Sequence, residues 1–272
     1  MIHMTGIVHR HLARTALAVG LCVAAPAATR AADDLVSDQW QFQLTPYFWA
    51  LALDGTTKVK GVKSEPDVSF SDIWDNLDYA VMLEGEARKG RFGIYANAIY
   101  ADLSDTQGSG GIDVKTDANI AWAGAGGFYR LGPWTVLPDA GALAPEVVLD
   151  PYAGIRYTYV DAKLKVRNGG PQTSGDHDWI DPVVGLRTIW RIGPDWSVTA
   201  LGDIGGFGVG SDFTWQAAGL VGYRFGLFGN DDARIQAGYR ALHQDYSNGN
   251  GNDEFKWDLT MHGPILALSI DF

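Results

Sequence analysis

The sequence predicts an all-β chain, an antiparallel transmembrane β-barrel of about ten strands behind a cleaved signal peptide. Three observations carry this. The last stretch, Glu254 to Phe272, ends in strict alternation: Leu266, Leu268, Ile270 and Phe272 point one way, Ala267, Ser269 and Asp271 the other. That period of two marks a strand with one apolar face. Successive strand-like segments are joined alternately by short turns and longer polar stretches, the asymmetry of a membrane barrel. Finally, the chain is rich in Gly (34) and aromatics (Trp 10, Tyr 11, Phe 11), and no apolar run beyond residue 31 is long enough for a spanning helix. Eight or twelve strands are the alternatives.

Residues 1–31 read as the signal peptide. Arg10 and Arg14 precede an apolar run from Ala16 to Ala25, and Ala25-Pro26-Ala27 and Thr29-Arg30-Ala31 offer small-x-small cleavage sites near 27 or 31. Cys22 is the only cysteine and falls inside this leader. Leu21 stands where a lipidated cysteine needs a small residue, so lipidation is rejected and the mature chain has no disulfide option. Losing Arg10, Arg14 and Arg30 takes the net charge from −11 to −14, which excludes a nucleic-acid footprint. Residues 32–39, with Asp33, Asp34 and Asp38, form a short periplasmic lead-in, and 40–272 the barrel.

Trp40 to Leu53 reads as the first strand, with Trp40, Phe42, Leu44 and Phe48 opposite Gln41, Gln43 and Thr45. Asp54-Gly55 signals a turn. Thr56 to Phe70 reads as a hairpin arm, and Ser71 to Leu77 as one helical turn capped by Ser71. If Thr56 to Leu77 is an external elaboration the count is ten. If its hairpin enters the wall the count is twelve. Further strands are expected over Asp78–Lys89, Arg91–Asp105, Ile112–Leu131, Val147–Val166 and Trp179–Ile192. Trp196–Val209, Phe213–Phe225, Arg234–Tyr246 and Glu254–Phe272 complete the set.

The joints support an orientation. Arg88-Lys89-Gly90, Arg130-Leu131-Gly132, Arg191-Ile192-Gly193 and Arg224-Phe225-Gly226 share Arg-x-Gly and fall where strands come down to the periplasm. Ser104–Gly111, Asn168–Asp178 and Ser247–Asp253 are the expected external loops, with Gly210–Asp212 short among them. The segment 133–146 is too long for a standard periplasmic turn.

Parity sorts side chains by face. Pro182, Val184, Leu186 and Trp190, and Trp215, Val221, Tyr223 and Phe225, are expected to face lipid. Glu84, Glu86, Arg156, Arg187, Asp203, Arg224, Arg240 and Asp258 are expected to form a polar network in the lumen, beside Asp181, Gln216, Gln236 and Thr260. A ten-strand barrel is close to the width that side chains can fill, so these charges are expected to pair and plug it. In the last strand Trp257, Leu259 and Met261 hold odd positions and Leu266 to Phe272 even ones, with His262-Gly263-Pro264 between. A β-bulge there is expected to bring both apolar runs to lipid.

The closing strand resembles the C-terminal signature of bacterial outer-membrane β-barrels. In that group Leu266, Leu268, Ile270 and Phe272 would be the signal read by the barrel assembly machinery. Leu44-Thr45-Pro46-Tyr47-Phe48-Trp49, Asp54-Gly55, Phe70 to Leu77 and Glu86 to Gly90 resemble a widespread group of proteobacterial outer-membrane proteins. The resemblance implies a fold, a location in the outer membrane of a Gram-negative bacterium, and contact with outer-membrane lipids and lipopolysaccharide. It implies no substrate and no catalytic residue.

The expected function is accordingly an integral outer-membrane barrel with a structural, interaction or narrow-channel role, and no catalytic, cofactor or metal residue is expected. Two other readings stay open. One is an outer-membrane enzyme using loop histidines, since Asp176-His177-Asp178 and His243-Gln244-Asp245 fall in or beside expected external loops. The other is a soluble lipocalin-like barrel, which would turn the apolar faces inward. Gly205 to Gly210 is no phosphate loop, because no Lys follows and no helix pattern opens.

Overall fold

The computed structural model describes residues 36–59, 62–109, 112–166, 172–227 and 230–272. The leader expected over residues 1–31 lies outside them, as does the first part of the lead-in.

In chain order the strands are β1 (Trp40–Trp49), β2 (Ala52–Val59), β3 (Val62–Ser64) and β4 (Asp67–Val68), followed by helix α1 (Phe70–Asn76). Next come β5 (Leu77–Lys89), β6 (Phe92–Ser109), β7 (Ile112–Tyr129) and β8 (Leu131–Thr135). The chain continues through β9 (Glu146–Val166), β10 (Gln172–Ile192), β11 (Trp196–Gly205), β12 (Phe213–Leu227), β13 (Asn230–Asn248) and β14 (Phe255–Asp271). All pairings are antiparallel. Ten strands form the ring β1-β5-β6-β7-β9-β10-β11-β12-β13-β14, and the β1–β14 ladder closes it. Closure leaves the ring no free edge as far as the Pro46–Leu83 pair, the condition for strands to sit in lipid.

The segment 50–76 is an elaboration at the end of the barrel opposite the described termini. β2 carries on along β14 in the register that β1 sets: Trp49 pairs with Ile265 and Ala52 with His262. Gly263 is required at the join, because a Cβ there would run into the Ala50 carbonyl oxygen. The cap of helix α1 lies two residues earlier than expected. Ser69, not Ser71, closes a capping box with Asp72.

At the near end, which carries the described termini, Gly90 (φ 60°) and Gly193 (φ 63°) make tight turns. The segment 133–146 is a hairpin in which β8 returns onto β9, joined by a 3-10 turn over Pro138–Leu143. At the far end the expected loops are largely strand. β6 reaches Ser109, β10 starts at Gln172 and β13 reaches Asn248, so Asp176-His177-Asp178 lies within a strand.

Outward-facing residues form an apolar belt bounded by aromatics. Trp40, Phe92, Trp196 and Tyr223 mark its near edge and Phe48, Tyr79, Tyr100 and Phe213 its far edge, all exposed. Phe92 and Tyr100, like Tyr223 and Phe213, bracket about nine to eleven residues, the length at which a tilted strand crosses hydrocarbon. Beyond the far girdle the outer face turns polar, with Asp102, Asn119, Asp178 and Asp245, while the inner face turns apolar.

That inversion overturns the expected bulge. β14 pairs with β13 in one register from Phe255–Asn248 to Ile270–Ala233. Trp257, Leu259 and Met261 therefore face inward, 7%, 2% and 0% exposed, while Leu266, Leu268 and Ile270 face outward. The same register turns Asp258 and Thr260 out of the lumen, so both lumen assignments are corrected.

Candidate functional site

Alternation along the ring strands projects every second side chain inward, and at the near end these line a cavity of about 720 Å³. Its lining runs from Ser37, Gln39 and Phe272 at the rim to Trp122, Leu242 and Ile265 at the roof. Charges gather on its walls in two groups.

The lower group is built on Asp150, which is fully buried. Its carboxylate accepts from Arg130 (Nε 2.9 Å, Nη2 2.7 Å) and from Arg187 (Nε 3.1 Å, Nη2 2.8 Å). Arg187 also donates to Glu86 at 2.7 Å. The Phe128 ring lies against both guanidiniums, 4.9 Å from Arg187 and 5.8 Å from Arg130.

The upper group is built on Asp203. It accepts from Arg156 Nη2 at 2.8 and 3.0 Å, from the Tyr152 hydroxyl at 2.8 Å and from Gln216 Nε2 at 3.1 Å. Gln216 in turn accepts from Arg240 through its Oε1, and the Arg240 guanidinium lies 4.7 Å above the Trp49 ring. Tyr47 accepts from Asn97 Nδ2 at 2.8 Å. With several donors and acceptors satisfied on each ion, such pairs are costly to break singly.

Of the residues read as one lumen network, the structure therefore joins Glu86 with Arg187, and Arg156 with Asp203 and, through Gln216, Arg240. Glu84 lines the same cavity, between Thr45 and Asn97 in the ladder. Arg224 sits apart at the near rim, 3.8 Å from Asp232. Asp258 is outside, 3.1 Å from Lys256. Asp181 faces inward but holds the far turn, accepting Ser211 N–H at 2.6 Å and its hydroxyl at 2.9 Å. Asp150 and Tyr152 carry no assignment from sequence, and Arg130 carries one only as part of an Arg-x-Gly joint. Asp150 and Tyr152 share the parity of Arg156 on β9, and that signal would have found them.

Above the charges the interior closes. Gln244, fully buried, donates to Thr158 at 2.8 Å and accepts the Trp122 indole N–H at 3.1 Å. Around it pack Trp49, Leu242, Leu259 and Met261, 1%, 1%, 2% and 0% exposed, in one buried apolar cluster. Trp179 stacks flat on Tyr246 beyond them, centroids 4.1 Å apart. Trp49, Leu242, Leu259 and Met261 lie on the adjacent strands β1, β13 and β14, and Trp122, Val160 and Trp179 join them in the cluster from β7, β9 and β10 across the ring.

The histidines do not converge. His177 faces inward and stacks on Phe255 at 3.7 Å. His243 faces outward against Trp215, with Thr260 at 3.2 Å. His262 lies on the outer wall between Tyr239 (2.7 Å) and Asp54 (3.0 Å). Among the described residues no group of three or more His, Cys, Asp or Glu could hold a metal ion.

No family model and no curated protein sequence matches the chain. Solved structures to which it is similar include Ail, the attachment invasion locus protein of Yersinia pestis, at 11% identity and TM-score 0.37, covering 86% of this chain and 99% of that one. Neisserial surface protein A matches at 12% identity and TM-score 0.31, over 86% and 97%. A Pseudomonas aeruginosa FadL homologue matches at 10% and 0.28, over 86% and 90%. The strand ladder itself forms a closed barrel with an apolar belt and two aromatic girdles, the architecture of a Gram-negative outer-membrane protein.

Proposed function

We propose that this chain is a non-conducting outer-membrane barrel: a rigid membrane body that carries a polar β extension outside the cell, with a vestibule open only to the periplasm. The near end, with its tight turns and the described termini, faces the periplasm, and the extended hairpins face out. One observation carries the reading: the buried apolar cluster above the charges, which joins Trp49, Leu242, Leu259 and Met261 on one wall to Trp122, Val160 and Trp179 on the other. Paired ions below it line the vestibule and brace the wall. Lipopolysaccharide against the far girdle and the barrel assembly machinery during insertion are the partners this role implies. Liposome swelling tests it. Vesicles carrying the protein should swell in small sugars no faster than empty ones, and fast swelling overturns the proposal.

A further inference from the structure

The wall of the barrel divides at one place. Pro46 has no N–H to give, and the β1–β5 ladder ends at its pair with Leu83. Above it the Trp49 N–H turns to the Met82 sulfur at 3.2 Å, and among the described residues no strand pair joins 47–51 to 77–82. β1 instead continues as β2 along β14, and the other edge of β2 is taken by β3 and β4. The division opens at the height of the far aromatic girdle, where Phe48 and Tyr79 face outward.

Helix α1 lies over this division. Phe70 and Trp74, four residues apart, share one face. Both meet the Phe48 ring edge-on, with centroids 6.0 and 5.7 Å away, and lie 5.8 Å from each other. Ser71, Asp72 and Asp75 are exposed. A seven-residue helix is not stable in water alone and needs its apolar face covered. Phe48 covers part of it, yet Trp74 remains 41% exposed, next to Phe48 at 38% and Tyr79 at 52%. These rings extend the belt without a break. The occupant of that belt is lipid, and its edge is where amphipathic aromatics gather.

We propose that α1 is a membrane-interface latch. Phe70 and Trp74 seat in the headgroup–acyl boundary of the outer leaflet and, with Phe48, seal the division in the wall. The latch rests on the barrel lying in a bilayer, so the test separates the two ideas. Nitroxide labels go one at a time on Val184→Cys, Trp74→Cys and Asp75→Cys in full-length chain carrying Cys22→Ser, refolded into phosphatidylcholine vesicles. Collisions with oxygen and with a water-soluble nickel chelate are then compared by power saturation. Oxygen should dominate at 184 and at 74, and nickel at 75. Nickel dominance at 184 defeats the membrane barrel itself. Oxygen at 184 with equal nickel access at 74 and 75 defeats the latch alone. Because Trp74→Cys removes a ring, a second measurement keeps both. Lipids brominated near the headgroup should quench a fluorescence component present in the wild type and lost in Trp74→Phe. The absence of such a component overturns the latch.

Discussion

Asp150→Asn probes the lumen's strongest interaction. The carboxylate is 0% exposed and takes four N–H contacts from Arg130 and Arg187. Asparagine keeps its shape and removes its charge. Arg187, whose guanidinium cannot lose its proton, then keeps Glu86 at 2.7 Å, and Arg130 loses the carboxylate it grips through two nitrogens. Stranding a buried charge costs about 3–5 kcal/mol, and two cations losing one partner belong at the upper end. Arg187 borders the cavity, with 16% side-chain exposure, so water there recovers some of this, whereas Arg130 at 6% gains little. Urea unfolding in detergent micelles, followed by heat-modified gel mobility and tryptophan fluorescence, measures the loss. Glu86→Gln should cost less, because Arg187 keeps Asp150. A cost under about 1 kcal/mol for Asp150→Asn, the value of a solvated surface pair, would refute the picture of a desolvated network.

Val184→Arg, on the lipid belt, should cost about 2–4 kcal/mol near the midplane, whereas Asp178→Arg, beyond the far girdle, should stay within about 0.5; equal costs would mean the belt is drawn wrongly. Deleting Phe272 removes both backbone bonds to Phe42 (3.2 and 2.8 Å) at the closing seam, and should lower the amount reaching the outer membrane fraction. Wild-type amounts would contradict that. Beyond the far girdle, burial of His177 pushes its imidazole below the ordinary range despite the flanking Asp176 and Asp178. Its neutral form is the one the fold favours, so its contribution is complete above about pH 6.5 and is lost as the pH falls below that. An NMR titration midpoint at or above 6.5 would contradict the stacked, desolvated position.

The strand count and the near-half faces were legible in the sequence because lipid outside and a polar lumen inside impose one alternation on β1, β10 and β12. Val184, Leu186 and Trp190 against Arg187 is such a pattern. The far half was misread for a physical reason. Where strands leave the bilayer, water is outside and the interior packs like a soluble core, so apolar residues change sides with no change of register. In β14 the switch falls between Met261 and Leu266. It marks the membrane boundary, not a bulge. The same rule hid β10's start, because Asp176 and Asp178 looked like loop while Trp179 was already packing inward. Asp150 was concealed by the apolar run Val147-Val148-Leu149, which hides the alternation of the two faces. The split network could not be read at all, since parity gives a face but not a neighbour around the ring.

Single-protein recording in planar lipid bilayers tests the central claim, that side chains close this barrel. With Trp49, Leu242, Leu259 and Met261 packed against Trp122, Val160 and Trp179 in one cluster, the wild type should show no steady conductance, and Trp49→Ala with Met261→Ala should raise it. Steady, ion-selective conductance in the wild type, shifted by Glu86→Gln, would contradict the account and make the lumen a channel.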